Sequence, residues 1–393
     1  MKSEVAESAI EILKQLIAFP TVSAEDNRAL IAFAAEYLEA AGARTTITLD
    51  PTSTKANLFA TLGPEGNGGI VLSGHTDVVP APDQEWTSDP FLLQERGDAL
   101  YGRGTCDMKG FIAAVLAMVP YYAELDLARP LHIALTYDEE TGCLGARQLV
   151  QELKRDGIEP ALAIIGEPTE MRVIEGHKGC YEYTTYFQGT DGHGSDPDKG
   201  VNSIHYATKF IARLLEIGED LKGRAGPDSA RYSPPWTTVQ VGQIHGGIAR
   251  NVIARDCEVE WEMRPVRVKD GEDVKTALNE YCDTVLLPQM QAVYPDAKIE
   301  TEVIGEVAGL EVMPENEARE IAVALTGNAE TDVVSFGTEA GLFQALDMAV
   351  VVCGPGSIRQ AHQPDEFLEI DQLEACLSML TGLGASLTKP ART

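Results

Sequence analysis

The chain has 393 residues, of which 61 are acidic and 31 basic, giving a formal net charge of −30. A hydrophobic fraction of 44% and a charged fraction of 23% exclude a disordered or collagen-like chain, and the length is that of two domains rather than one. So acidic a surface repels phosphate backbones, which argues against nucleic acid as a partner.

Glu4, Glu7, Glu11 and Lys14 interrupt the apolar positions near the start, and no small-residue cleavage site follows, so no signal peptide is expected. No run of about 20 apolar residues occurs, so no membrane span is expected. The seven cysteines are scattered, with no CxxC pair, which fits a reducing cytoplasm. Ile10, Leu13, Leu16 and Ile17 recur at helical spacing, as do Ile31, Ala34, Ala35 and Leu38, ended by Gly42. A buried strand over 69–72 leads directly to His75 and Asp77. A helix over 109–119, a strand over 131–136, a helix over 145–154 and a strand over 162–165 follow. Strands alternating with helices predict an α/β domain with a mostly parallel sheet and helices on both faces, its ligands at the carboxyl ends of the strands. After Gly179 the pattern changes. Tyr181, Tyr183, Thr185 and Phe187 alternate as in a half-buried strand, 203–217 and 274–287 read as helices, and 237–244 and 257–263 as strands. This is a small α+β unit inserted into the larger domain, whose apolar runs return at 333–336 and 348–353. The expected boundaries are 1–179, 180–303 and 304–393.

Five candidate metal ligands fall at predicted strand ends: His75 in SGHTD, Asp107 in GRGTCDMKG, Glu140 in YDEETG, Glu167 in IGEPT and His362 in QAHQPDE. One histidine, or one Asp-Glu-Glu run, carries little by itself. Five such positions at successive strand ends carry more. Imidazole with carboxylate suits zinc, cobalt or manganese, and two histidines with three carboxylates hold two ions if one carboxylate bridges. Asp77, two residues from His75 on an extended segment, points the same way and can orient the imidazole. Glu139 points away from Glu140, so one can ligate while the other shuttles protons. The chain lacks GxGxxG, GxxxxGK[ST] and GxSxG, which argues against a nucleotide loop and a serine elbow. Cys106 has no indicated base and reads as a packing residue.

GHTDVVP, YGRGTCDMKG, DEETG, IGEPT and QAHQPDEF, in this order, resemble the M20 metallopeptidase family over nearly the whole chain. HKG at 177–179, GHGSDPDKGVNSI at 192–204, HGG at 245–247 and GPGSI at 354–358 are most similar to its acetylornithine deacetylase subgroup. The resemblance implies two divalent metal ions, zinc with cobalt able to substitute. Asp107 would bridge them, His75 and Glu167 would complete one site, and Glu140 and His362 the other. It implies Glu139 as general base, Asp77 orienting His75, and the inserted unit as a lid and homodimerisation domain. His193 would reach the partner subunit's site and stabilise the oxyanion, and Asn251 and Arg264 would bind the substrate carboxylate. Gly194 stands where many relatives have Ser, and Ala254 where many have Pro. In SFGTEAGLF, residues 335–343, Glu339 is either a surface residue or, as that subgroup would require, the partner of a substrate ammonium. The implied reaction is hydrolysis of a small N-acyl amino acid, N2-acetyl-L-ornithine first. A desuccinylase, an aminoacylase and a dipeptidase are rivals on the same scaffold, and a non-catalytic metal-binding scaffold is the rival from another class.

Overall fold

The computed structural model describes residues 3–82 and 84–391. The chain forms two compact units. One runs to Gly176 and resumes over Val312–Asp332 and from Thr338, and the other comprises His177–Glu311 with Val333–Gly337. Among the described residues no helix is long and apolar enough to cross a membrane.

The larger unit is built on an eight-stranded sheet. Its spatial order is Arg44–Leu49, Ala56–Leu62, Leu131–Thr136, Ile70–His75, Leu162–Pro168, Ala349–Gly354, Val173–His177, Thr331–Val334. The centre is parallel: Ile70–His75 runs with both Leu131–Thr136 and Leu162–Pro168, and Ala349–Gly354 runs with Leu162–Pro168. The pairs flanking this centre are antiparallel. Three of the central strands are buried along their whole length, which is why they read as unbroken apolar runs rather than as an alternation. Successive side chains point to opposite faces. Leu72, Ile133 and Ile164 join one core with the helices Glu4–Ile17, Lys109–Ala123 and Ile370–Leu387. The helices Leu144–Asp156 and Ala340–Gln344 pack on the other face.

The smaller unit is a four-stranded antiparallel sheet, ordered Thr238–Gly246, Asp256–Arg264, Cys180–Gln188, Lys298–Val307. One face buries Tyr181, Tyr183, Phe187, Val259, Trp261 and Met263 against the helices Ser203–Lys222 and Val268–Tyr281. Tyr183 stacks on Trp261 with ring centroids 4.4 Å apart. The expected boundary after residue 303 moves to Glu311, because Lys298–Val307 pairs with Cys180–Gln188 along its length. A bulge between Val303 and Gly305 breaks the period of two that would have announced that strand. The first boundary lies at Gly176 rather than 179, and Val333–Gly337 belongs to the smaller unit.

Candidate metal centre

The parallel strands end side by side, as expected of an α/β sheet, and their carboxyl ends carry the polar clusters. His75 closes Ile70–His75, Glu167 lies within Leu162–Pro168, and Glu139 and Glu140 follow Leu131–Thr136. Asp107 sits in the loop ahead of the helix Lys109–Ala123, and His362 in the loop after Ala349–Gly354. Gly166 has a steric reason: a Cβ there would meet Phe111 of that helix at 2.0 Å. The glycine lets the helix close on the strand, which seats Glu167 beside Asp107.

The structure brings all five predicted ligands together. Asp107 stands between the two histidines, with Oδ1 3.0 Å from His75 Nε2 and Oδ2 3.3 Å from His362 Nε2. Glu167 Oε1 lies 3.7 Å from His75 Nε2, and Glu140 Oε1 lies 3.0 Å from His362 Nε2. His75, Asp107 and Glu167 are buried, whereas the His362 side chain is 49% exposed. His75 Nδ1 is 2.9 Å from the Asp77 carbonyl oxygen, which leaves Nε2 as the nitrogen aimed at the cluster. The Asp77 carboxylate accepts the backbone N–H groups of Glu139 (3.0 Å) and Glu140 (3.3 Å) and the Ser23 hydroxyl (2.8 Å). Asp77 thereby fixes the main chain under both glutamates as well as lying against His75.

Two observations test whether these residues fit metal ions. Glu167 Oε1 is buried and accepts no hydrogen bond among the described residues, and an orphaned buried oxygen calls for an unseen partner. Five carboxylates, those of Asp77, Asp107, Glu139, Glu140 and Glu167, crowd two imidazoles. Burial, then like charges, pushes the Glu139, Glu140 and Glu167 carboxyls above their ordinary range. Burial opposes charge on His75 too, but Glu167, Asp107 and Asp77 outweigh it and raise its pKa well above the usual value. His362, hydrogen-bonded to Asp107 and Glu140, is raised to about 10. Candidate ligand atoms of His75, Glu139 and Glu167, and of His75, Asp107 and Glu140, each lie within 4.8 Å of one another. Imidazole and carboxylate donors gathered in two such groups, which have His75 in common, fit divalent cations.

Residues 71–385 match the sequence model of peptidase family M20/M25/M40. The chain belongs to that family. Solved structures with the same fold include aminopeptidase PepT from Bacillus cereus (16% identity, 98% of this chain and 99% of that one, TM-score 0.73). The M20 metallo-carboxypeptidase Sso-CP2 from Sulfolobus solfataricus is similar at 18% identity (98% and 99%, TM-score 0.73). YXEP from Bacillus subtilis, described as a dinuclear metal-binding peptidase, is similar at 16% identity (98% of each chain, TM-score 0.64). The chain is thus an M20-family hydrolase whose own residues assemble a candidate two-metal centre.

Glu339 of this M20 hydrolase is neither on the surface nor open to a substrate. Its side chain is fully buried, and its two oxygens accept the hydroxyls of Ser73 (2.5 Å) and Thr136 (2.8 Å). It ties together the two strands that present His75 and Glu139, and no oxygen is left facing solvent for an ammonium. In the smaller unit, His193 Nδ1 accepts from the Ser195 backbone N–H (3.2 Å) and lies 2.7 Å from the Ser195 hydroxyl. With Nδ1 accepting that N–H, Nε2 is the ring nitrogen placed to donate. Gly194 is explained by close approach, since a Cβ there would lie 3.0 Å from the Asn251 carbonyl oxygen. Asn251 is exposed, and Arg264 pairs through NH2 with Glu262 Oε2 at 2.7 Å. Sequence reasoning missed three residues here. Cys143 donates its thiol to Glu139 Oε1 (3.4 Å), Ser195 sets the His193 tautomer, and Glu366 cradles the Asp107 loop. Only Ser195, two residues from His193, had a signal in the spacing.

Proposed function

We propose that the protein hydrolyses the amide bond of an N-acylated amino acid, releasing the acyl group as a carboxylate, with N2-acetyl-L-ornithine as its substrate. The observation that carries amide hydrolysis is Glu139, a carboxylate outside the His75–Asp107–His362 chain of contacts yet held against it by Asp77 and Cys143. His75, Asp107 and Glu167 would hold one divalent ion, and Asp107, Glu140 and His362 the other, zinc being the choice with cobalt able to replace it. When bound, such a pair polarises an acyl carbonyl and acidifies water near neutral pH. Glu139 takes the attacking water's proton on Oε2, since the Cys143 thiol occupies Oε1, and returns it to the amide nitrogen as the C–N bond breaks. One carboxylate then serves as base and afterwards as acid.

In this reading the inserted unit of a second copy in a homodimer supplies His193, whose Nε2–H donates to the oxygen that gains charge. Asn251 and Arg264 hold the substrate carboxylate. Support for the acetylornithine assignment comes from the HKG, GHGSDPDKGVNSI and GPGSI motifs, since Glu339 no longer speaks for a cationic side chain. A dipeptidase reading uses the same chemistry and is favoured by the family's description as peptidases. The test is hydrolysis, with added zinc or cobalt, of N-acetyl, N-formyl and N-succinyl ornithine, diaminobutyrate, citrulline and glutamate beside a set of dipeptides. The highest kcat/KM is expected for N-acetylornithine. Faster cleavage of a dipeptide would replace the deacylase assignment, and no cleavage of any amide would overturn both.

A further inference from the structure

Glu366 lies one residue before the strand Phe367–Glu369, which pairs antiparallel with Ala99–Tyr101 in a small separate sheet. The ladder continues past the pair, with Gly102 N–H donating to the Glu366 carbonyl at 2.9 Å. That register sets the Glu366 carboxylate under the loop that carries Asp107. It is 1% exposed, and it accepts four hydrogen bonds. Oε1 takes the backbone N–H groups of Cys106 (2.8 Å) and Asp107 (3.0 Å). Oε2 takes the N–H of Gly104 (3.0 Å) and the Arg103 guanidinium (2.8 Å). Backbone donors converging on one buried carboxylate form a fixed cradle, because each bond to a charged acceptor is short and directional.

Arg103 extends the cradle to the second histidine. The same guanidinium donates to the Gln363 carbonyl (3.3 Å) and to Gln84 Oε1, and Gln84 Nε2 donates to the His362 carbonyl at 2.8 Å. Arg103 also lies over the Trp86 ring, 5.0 Å from its centroid. Its side chain is 1% exposed. Two loops more than 250 residues apart in sequence, one bearing Asp107 and the other His362, are therefore linked by a buried ion pair and its hydrogen bonds.

We infer that Glu366, braced by Arg103, is a positioning residue that presets the Asp107 carboxylate between His75 and His362 and so sets the affinity of the centre for its ions. The inference rests on the two-metal reading above. Among the described residues no hydrogen bond joins the Glu366 carboxylate to the side chains of His75, Asp107 or His362. It acts through main chain, so its removal is felt in how well Asp107 is held rather than in the number of ligands. In Glu366→Gln one oxygen is replaced by an NH2 group, which places donors against backbone donors on one side of the cradle.

The test is direct titration of the chelator-treated full-length protein with Co2+ and Zn2+, read by calorimetry and by the visible absorption of bound Co2+, with the melting temperature of the metal-free protein measured alongside. Wild type is expected to bind two ions. Folded Glu366→Gln is expected to bind at least one of them about 10–100-fold more weakly, with an altered Co2+ spectrum, as is typical when a group supporting a ligand is lost. Arg103→Lys keeps the charge but not the fork that reaches Glu366, Gln363 and Gln84 together, and is expected to weaken binding about tenfold. It decides the matter if the Gln variant does not fold. A purely structural role would lower the metal-free melting temperature while leaving the Co2+ affinity and spectrum of the folded variant at wild-type values, and that result overturns the inference. A wild-type protein that binds no ion would instead overturn the two-metal reading itself.

Discussion

Replacing Glu339 by alanine separates a buried strut from a substrate contact. The carboxylate receives the hydroxyls of Ser73 and Thr136, on adjacent parallel strands, and is closed off from solvent. Truncation strands two buried hydroxyl donors, each costing about 1 kcal/mol or more. It also leaves a cavity of roughly 50 Å³, worth about 1 kcal/mol at the measured cost per unit volume. Burial pushes the Glu339 carboxyl above its usual range, so removing the charge recovers part of that loss, and a net cost of about 2 kcal/mol remains. For a unit of this size that lowers the melting temperature of the metal-free protein by about 4–8 °C. Because the effect travels through the strands under His75 and Glu139, kcat/KM falls by the same factor on N-acetylornithine and on uncharged N-acetylmethionine. The assays are thermal unfolding after chelation and paired kinetics on the two substrates. An unchanged melting temperature together with a loss confined to the cationic substrate would refute this account and return Glu339 to the substrate pocket.

Glu139→Gln is expected to retain both metal ions while turnover drops by about 10²–10⁴, the usual contribution of a general base; metal content and kcat measured on one preparation decide it. Ser195→Ala removes the hydroxyl beside His193 Nδ1 but keeps the backbone N–H, so kcat should fall severalfold with KM nearly constant. A fall equal to that of His193→Ala would mean the backbone bond does not hold the ring. His132 is 3% exposed, 2.9 Å from the Thr61 hydroxyl and stacked on Phe59, and burial, aided by Arg44, lowers its pKa to about 4. Between about pH 6.5 and pH 4 the unfolded chain binds a proton that the folded chain refuses, so stability decreases as pH falls through that window, by up to roughly 3 kcal/mol. Urea unfolding of metal-free protein across these pH values should show a shallower decline for His132→Gln, and identical slopes would remove His132 from the acid response.

The grouping of the candidate ligands was legible because ligand chemistry restricts residue type. His75, Asp107, Glu140, Glu167 and His362 each follow a buried apolar run or a glycine-rich turn, and a parallel sheet gathers such ends at one edge. Glu339 was misread for a physical reason. An acidic residue after an apolar run looks like surface or pocket from local pattern alone. Its burial is decided by the Ser73 and Thr136 hydroxyls and by the packing of the short helix Ala340–Gln344, all remote in sequence. Glu366 was passed over likewise, since nothing local shows that three backbone amides wait for it on the far side of the chain. In the fold, the central strands declared themselves by hydrophobic runs. The outer strand Arg44–Leu49 is exposed or half-exposed throughout and left no such signal. The bulged Lys298–Val307 lost its period at Val303.

The most direct test of the central claim is titration of verified metal-free protein with zinc or cobalt while hydrolysis of an N-acyl amino acid is followed. No turnover is expected without metal, with two ions bound per chain at saturation and activity that rises with occupancy of the centre formed by His75, Asp107, Glu140, Glu167 and His362. Full hydrolytic activity in protein shown to contain no metal would contradict it.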